Sequence, residues 1–196
     1  MNLKELTDVQ LVERYVSGNA KCFEVLLKRH KRRLFTYIYL MVKKRALAED
    51  IFQDTFIKII NSLKAGRYND DGKFIAWATR IAHNLIIDHF RKEQQFRVIS
   101  NDSYENDLFN SIPLAEKPIE TQIIKTQIDN DVKKLLDYLP DEQKEVVLMR
   151  HYMGLSFKEI SEETGVSINT ALGRMRYALI NLRKIISEKK VQLTEA

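Results

Sequence analysis

The sequence predicts an all-α protein: two small helical domains joined by an acidic linker, the C-terminal one a helix-turn-helix. Three observations predict it. Only 6 Gly and 3 Pro occur in 196 residues while 30% are charged, a composition that favours long helices over a turn-rich sandwich or barrel. Apolar residues recur at spacings of three and four through both halves. Between the halves, over residues 93–121, that periodicity fails among Ser, Asn, Asp, Glu and Pro. The predicted organisation is a first domain at 1–92, a linker at 93–121 and a second domain at 122–196.

Charge is spread unevenly over these parts. Residues 1–92 carry 18 Lys and Arg against 10 Asp and Glu, a net +8; residues 93–121 carry 2 against 6, a net −4; residues 122–196 carry 12 against 11, a net +1. A basic first half suits a polyanionic partner and suits plain solubility equally well, while an acidic connector suits a basic channel. Cys22 is the single cysteine, which excludes an internal disulfide or a cysteine-based zinc site and points to packing in a reducing compartment. Met1 to Gln10 lacks the basic-then-apolar order of a signal peptide. No apolar run approaches the roughly 18 residues of a membrane span, so the expected setting is cytoplasmic, with no direct membrane insertion.

Taken in order, Leu11, Val12, Tyr15, Phe23, Leu26, Leu27, Leu34, Tyr37, Ile38 and Met41 give two helices between Asp8 and about Lys44, divided at Ser17-Gly18-Asn19. The cluster Lys28, Arg29, Lys31, Arg32 and Arg33 is expected to interrupt the second as a solvated or polyanion-facing turn. From Ala46 to Leu63, Ile51, Phe52, Thr55, Phe56, Ile59, Ile60 and Leu63 form one broad stripe, with Asp50, Gln53, Asp54, Lys58 and Asn61 opposite. Residues 65–73 form a turn-rich loop with Tyr68 and Asn69. A helix resumes at Phe74, with Phe74, Trp77, Ile81, Leu85 and His89 on one face and Arg80, His83, Asn84, Ile87, Asp88 and Arg91 elsewhere. After the linker, Ile123, Ile128, Val132, Leu135, Leu136 and Leu139 predict a helix that stops at Pro140, and three more follow.

The strongest local signal lies in residues 155–184. Ser156 and Glu159 have the spacing of a capping box and Gly165 ends the helix that they open. Ser167 then caps a helix whose buried positions are Ala171, Met175, Ala178, Leu182 and Ile185. Two helices joined by a Gly-containing turn, the second with a basic outward face, form the pattern of a DNA-reading helix-turn-helix, and also of ordinary αα-hairpins. In the first reading Ile168, Asn169 and Thr170 stand in the turn that reaches base edges, and Arg174 and Arg176 are placed for phosphate contacts.

These residues resemble the extracytoplasmic-function sigma factors of bacterial RNA polymerase. Ala48-Glu-Asp-Ile-Phe-Gln-Asp-Thr-Phe-Ile-Lys-Ile-Ile60 is similar to the family's second-region helix, and the segment Phe74 to Lys92, containing Trp77-Ala-Thr-Arg-Ile-Ala-His-Asn84, to its promoter-melting helix. Leu139-Pro-Asp-Glu-Gln143, Gly154-Leu-Ser-Phe-Lys-Glu-Ile160 and Val166-Ser-Ile-Asn-Thr170 resemble its fourth region. The resemblance implies a sigma factor that binds core RNA polymerase and directs promoter-specific transcription initiation. Asp50, Gln53, Asp54 and Phe56 match positions that grip the polymerase clamp. Tyr68, Asn69, Gly72 and Phe74 match the reader of flipped minus-ten bases, with Arg80 and Asn84 set against the melted strand. Ser167, Ile168, Asn169, Thr170, Arg174 and Arg176 belong to the minus-thirty-five recognition helix. The linker resembles a connector that threads along the polymerase, with a floppy tether as the competing account. An anti-sigma factor is the implied regulator.

The match departs from the family pattern at Ala171-Leu172-Gly173, where a valine and a polar residue are usual, and at Ser161 in place of a small Ala. Gly173 costs roughly 1 kcal/mol of helix propensity relative to Ala. No catalytic role is expected: His30, His83, His89 and His151 are scattered, none of the HExxH, GxxxxGK[ST] or GxSxG patterns occurs, and no metal or cofactor is implied. The rival class is a stand-alone regulator that binds duplex DNA unaided.

Overall fold

A computed structural model of the chain describes residues 2–68, 72–99 and 135–189, and every regular element among them is helical. After a short 3-10 turn at Leu3–Glu5, α1 (Asp8–Val16) opens on a reciprocal cap. The Gln10 amide donates to Thr7 Oγ1 at 3.3 Å and the Thr7 amide to Gln10 Oε1 at 3.1 Å. The predicted break at Ser17-Gly18-Asn19 is present, with Gly18 at φ +105°. Asn19 then caps α2 (Ala20–Val42), its side chain accepting from the Lys21 amide at 3.2 Å.

α2 runs unbroken through Lys28–Arg33, where the charge pattern predicts an interruption. Leu26, His30, Leu34 and Tyr37 keep a buried stripe through the cluster, and most of the charges find partners off it. Lys28 pairs with Glu24 one turn back. Arg29 binds Asp8 and donates to the Leu6 carbonyl at 2.9 Å. Arg33 reaches across to the Tyr152 carbonyl at 2.7 Å.

Lys43, left-handed at φ 60°, turns the chain into α3 (Arg45–Lys64). α3 buries Ile51, Thr55, Phe56, Ile59 and Leu63 of the predicted stripe and leaves Phe52 and Ile60 half-buried. α4 (Phe74–Ile99) follows. Its core line is Phe74, Ala78, Ala82 and Ile86 rather than the expected Phe74, Trp77, Ile81 and Leu85, which beyond Phe74 are only half-buried. Two alanines carry little apolar signal but leave room for close approach to α2. His83, expected off the apolar face, is 5% exposed, between Tyr37 and Glu145. α4 also continues past the predicted boundary at 92: Glu93, Gln94 and Gln95 are ordinary helix formers, and His89 and Glu93 stand 4.0 Å apart one turn from each other.

The rest of the expected linker and the expected helix start at Gln122 lie outside the described residues. From Leu135 the chain reaches Pro140 and α5 (Asp141–Val147), which passes into a π-helical turn at Leu148–Tyr152. α6 (Phe157–Thr164) and α7 (Ile168–Lys189) complete the fold. α1, α3 and α4 pack on α2, α5 and α6 pack on α7, and the π turn packs on α2. One apolar cluster runs through both halves.

His30 is 6% exposed and its Nε2 lies 2.8 Å from Asp8 Oδ2, while no partner for its other ring nitrogen occurs among the described residues. Asp8→Ala strands that ring and leaves Arg29 with only the Lys4 and Leu6 carbonyls. The expected outcome is a loss of about 1–3 kcal/mol, measured by urea unfolding, and an unchanged midpoint contradicts the α1–α2 tie.

Candidate nucleic-acid interface

α4 carries the first candidate surface. Phe74 at its N-terminus is 1% exposed, with its ring 5.4 Å from His30. It therefore anchors the helix and is not open for stacking. Tyr68 and Trp77 are the half-buried aromatics, with ring centroids 4.5 Å apart. Gly72, at φ +72°, turns the loop into the helix. Asn69 lies outside the described residues. Arg80 and Asn84 are both exposed, one turn apart.

The cations of this surface meet carboxylates of α6. Lys73 Nζ lies 2.8 Å from Glu159 Oε1, Arg80 Nε donates to Glu163 Oε1 at 2.6 Å, and Arg80 Nη2 stands 4.0 Å from Glu162 Oε2. Behind them His83 Nδ1 is 3.3 Å from the Tyr37 hydroxyl and 3.1 Å from Glu145 Oε1. That Glu145 oxygen is buried without an aligned hydrogen bond. Burial pushes the Glu163 carboxyl up, against the pull of Arg80. Burial also pushes the Tyr37 hydroxyl well up, helped by the charges of Glu145 and Glu163. None of these cross-contacts was predicted from sequence. The available signal was three acids, Glu159, Glu162 and Glu163, on one short helix of a basic chain.

α6 and α7 form the predicted helix-turn-helix. The Ser156 amide donates to Glu159 Oε2 at 2.8 Å and the Glu159 amide to Ser156 Oγ at 3.3 Å, while Gly165 closes the helix at φ +65°. Ser167 caps α7, its hydroxyl accepting from the Thr170 amide at 3.1 Å. Ser167 is thus partly spent on the cap, and Ile168, Asn169 and Thr170 stand exposed beside it. Ala171, Met175 and Ala178 are buried, with Leu182 and Ile185 packed at the edge. Arg174 is drawn back to Glu142, 3.2 Å away, and its side chain is only 20% exposed. Arg176 is exposed. Leu172 lines an open groove with Phe157, Met175, Arg176 and Leu179, on the same side of α7 as Ile168 one turn earlier. A Cβ at Gly173 would meet nothing within 4 Å, and nothing among the described residues explains that glycine.

The third surface is on α3. Asp50, Gln53 and Asp54 share an exposed face, joined by Ile57 at 54% exposure, which the sequence reading overlooked. Phe56 is 8% exposed against Phe23 and Phe52 and supports the face from beneath. Beside Gln53 an open groove is lined by Lys31, Arg32, Phe35, Glu49 and Phe52. Among the described residues no group of His, Cys, Asp and Glu is arranged to hold a metal, and no helix is long and apolar enough to cross a membrane.

Two family models match the chain: Sigma-70 region 2 over residues 26–96 and Sigma-70, region 4 over residues 129–177. RNA polymerase sigma factor CarQ of Myxococcus xanthus is 29% identical over 182 residues, covering 93% of this chain and 99% of the relative. The ECF RNA polymerase sigma-E factor of Haemophilus influenzae is 24% identical over 193 residues, covering 96% and 97%. Among solved structures, RpoE of Bartonella quintana in complex with the anti-sigma factor NepR superimposes with a TM-score of 0.66 at 21% identity, over 86% of this chain and 98% of that one. CnrH in complex with the cytosolic domain of CnrY gives 0.62 at 22% identity, over 92% and 97%.

Burial opposes ionisation of Glu159, but Lys73 and the Ser156 hydroxyl and amide outweigh it and hold the carboxyl at about 2, below its ordinary 4.5. A depressed carboxyl contributes stability above its unfolded value, and that contribution is lost as pH falls from 4.5 toward 2. Glu159→Gln is expected to lower stability by about 1 kcal/mol near pH ~6. The gap from the unaltered protein should narrow by about pH 3, read from urea midpoints; a constant gap contradicts the assignment.

Proposed function

The chain belongs to the sigma-70 family, carrying region 2 and region 4 in one sequence, and from that premise we infer how its surfaces divide the work. It is a sigma factor of the extracytoplasmic-function class, which binds core RNA polymerase and directs promoter-specific, DNA-templated transcription initiation without being an enzyme itself. The assignment of roles to residues rests on one observation: two separate surfaces carry nucleic-acid chemistry, α4 and the loop before it with Tyr68, Trp77, Arg80 and Asn84, and α7 with Ile168, Asn169 and Thr170.

On α4 the chemistry suits a single strand. Half-exposed Tyr68 and Trp77 offer stacking faces to bases leaving the duplex, and Arg80 and Asn84 offer a phosphate partner and a base-edge partner. By resemblance Asn69 joins them, while Phe74 fixes the start of the helix. On α7 the exposed first turn suits the major groove, with Asn169 and Thr170 as base-edge partners and Ile168 as an apolar one. Arg176 is the phosphate contact. Arg174 serves by holding α7 to α5 through Glu142. The exposed face of Asp50, Gln53, Asp54 and Ile57, with charge around an apolar centre, is the proposed polymerase-docking surface, and Phe56 braces it. As a relative is bound by an anti-sigma factor, this chain is proposed to have such a regulator. Its place of action is the cytoplasm, with the polymerase.

The test is transcription in vitro, with the purified protein added to core RNA polymerase lacking sigma over a library of promoter fragments. Transcripts with defined starts that depend on the protein are the expected result; duplex binding without transcripts would favour the stand-alone regulator. Asp54→Lys should cut polymerase binding by about tenfold while leaving duplex binding intact, and unaltered polymerase binding removes the α3 assignment. Asn169→Ala should weaken binding to the selected minus-thirty-five duplex by about 1–3 kcal/mol and relax preference at one base pair. A uniform loss across all sequences would mean that Asn169 contacts only backbone.

A further inference from the structure

We propose that α6 acts as an internal stand-in for nucleic acid: Glu162 and Glu163 occupy Arg80, the strand-binding cation of α4, and Glu159 occupies Lys73 just before that helix, so this closed form must open before α4 can hold the melted strand. The proposal rests on the reading of α4 given above.

Geometry makes the two states exclusive. Arg80 Nε and Glu163 Oε1 are 2.6 Å apart. Promoter elements centred about 25 base pairs apart lie roughly 85 Å apart along B-form DNA, at ~3.4 Å per pair. With α4 on the minus-ten element and α7, carrying α6 with it, on the minus-thirty-five element, no side chain spans that distance. The carboxylates leave, and strand phosphates replace them with the same charge and the same bidentate acceptor chemistry.

The contact also has the character of a reversible one. Its outermost pair is half exposed, 50% at Arg80 and 49% at Glu162, and such a pair is weak and screened by salt, while the carboxylates of the two shorter pairs, Glu159 and Glu163, are largely covered. Its centre is imperfect, since the buried Glu145 Oε1, 3.1 Å from His83 Nδ1, makes no well-aligned hydrogen bond. Permanent interfaces rarely leave a buried carboxylate oxygen with so poorly aligned a partner. The device is one-sided: Ile168, Asn169 and Thr170 remain exposed in the closed form, so the duplex reader stays available while the strand reader is covered.

The experiment compares the full chain with Glu162→Lys/Glu163→Gln, and with Glu162→Lys alone at its exposed site, by small-angle X-ray scattering and by binding of a fluorescein-labelled single-stranded 20-mer of mixed sequence. Circular dichroism checks that each variant is folded. The double variant is expected to have a larger radius of gyration and to bind the oligonucleotide about tenfold tighter, as removal of a closed state that holds about nine-tenths of the molecules requires. The single variant should shift both readouts in the same direction by less. Folded variants that stay compact overturn the proposal, as do variants that expand with unchanged affinity. If the transcription assay succeeds while either of these occurs, the cis-occupancy alone has failed. If no form binds single strands and no transcripts appear, the reading of α4 has failed with it.

Discussion

The buried stripe of α2 is the constraint on which the rest of the molecule depends. Leu26, His30, Leu34 and Tyr37 follow one another down a 23-residue helix, and its two polar members tie other helices to it. His30 takes Asp8 of α1 and the Phe74 ring of α4, and Tyr37 takes His83 of α4. Arg33, on the outer side, holds the π turn by its Tyr152 carbonyl. Because Phe74 is pinned at the base of α4, the adjoining Tyr68 and Trp77 are held at the surface, and Arg80 and Asn84 are delivered on the next two turns. A binding surface read as local in sequence is thus placed by a helix forty residues earlier, on the order of what tertiary packing routinely does to local pattern.

Much of the polar chemistry lies at the junction of the halves rather than within either. Lys144, at 2% exposure, is held by Asp137, which also reaches Lys43 of the first half at 3.6 Å. Burial pushes the Lys144 ammonium pKa down while Asp137 restores part of it. Buried groups of this kind give little net stability, since desolvation offsets the attraction, but they are intolerant of misalignment. They make the closed arrangement specific without making it strong. An apolar core shared between the halves supplies cohesion, and the ionic rim supplies sensitivity to salt and to competing anions.

Most of the helices were legible in the sequence because their signals are local. Caps at Ser156, Gly165 and Ser167, the break at Ser17-Gly18-Asn19 and the stripe of α3 all depend on residues within a few positions of each other. What escaped was non-local. The core line of α4 runs through Ala78 and Ala82, whose small side chains say little until α2 is beside them. Phe56 and Phe74 match functional positions by motif and also fall on the apolar faces of their helices, and packing decides for burial. The Lys28–Arg33 cluster looks like a break until partners on α1 and on the π turn absorb its charge. Arg174 reads as a phosphate contact until Glu142, thirty-two positions earlier, is placed against it.

The uneven charge of the chain acquires a second meaning from the fold. The first half's net +8 suits a polyanion, and in the closed form part of that charge is met by three carboxylates from an otherwise nearly neutral second half. A protein built to bind a melted strand must avoid binding every other polyanion in the cell, because non-specific phosphate contacts form wherever cations are exposed. Covering Lys73 and Arg80 with carboxylates of the same chain reduces that loss without any added partner. The cover is lifted where the duplex reader has found its element and the halves are drawn apart along the DNA. Specificity of this kind resides less in any one contact than in the requirement that two surfaces be engaged at a separation the closed molecule cannot reach.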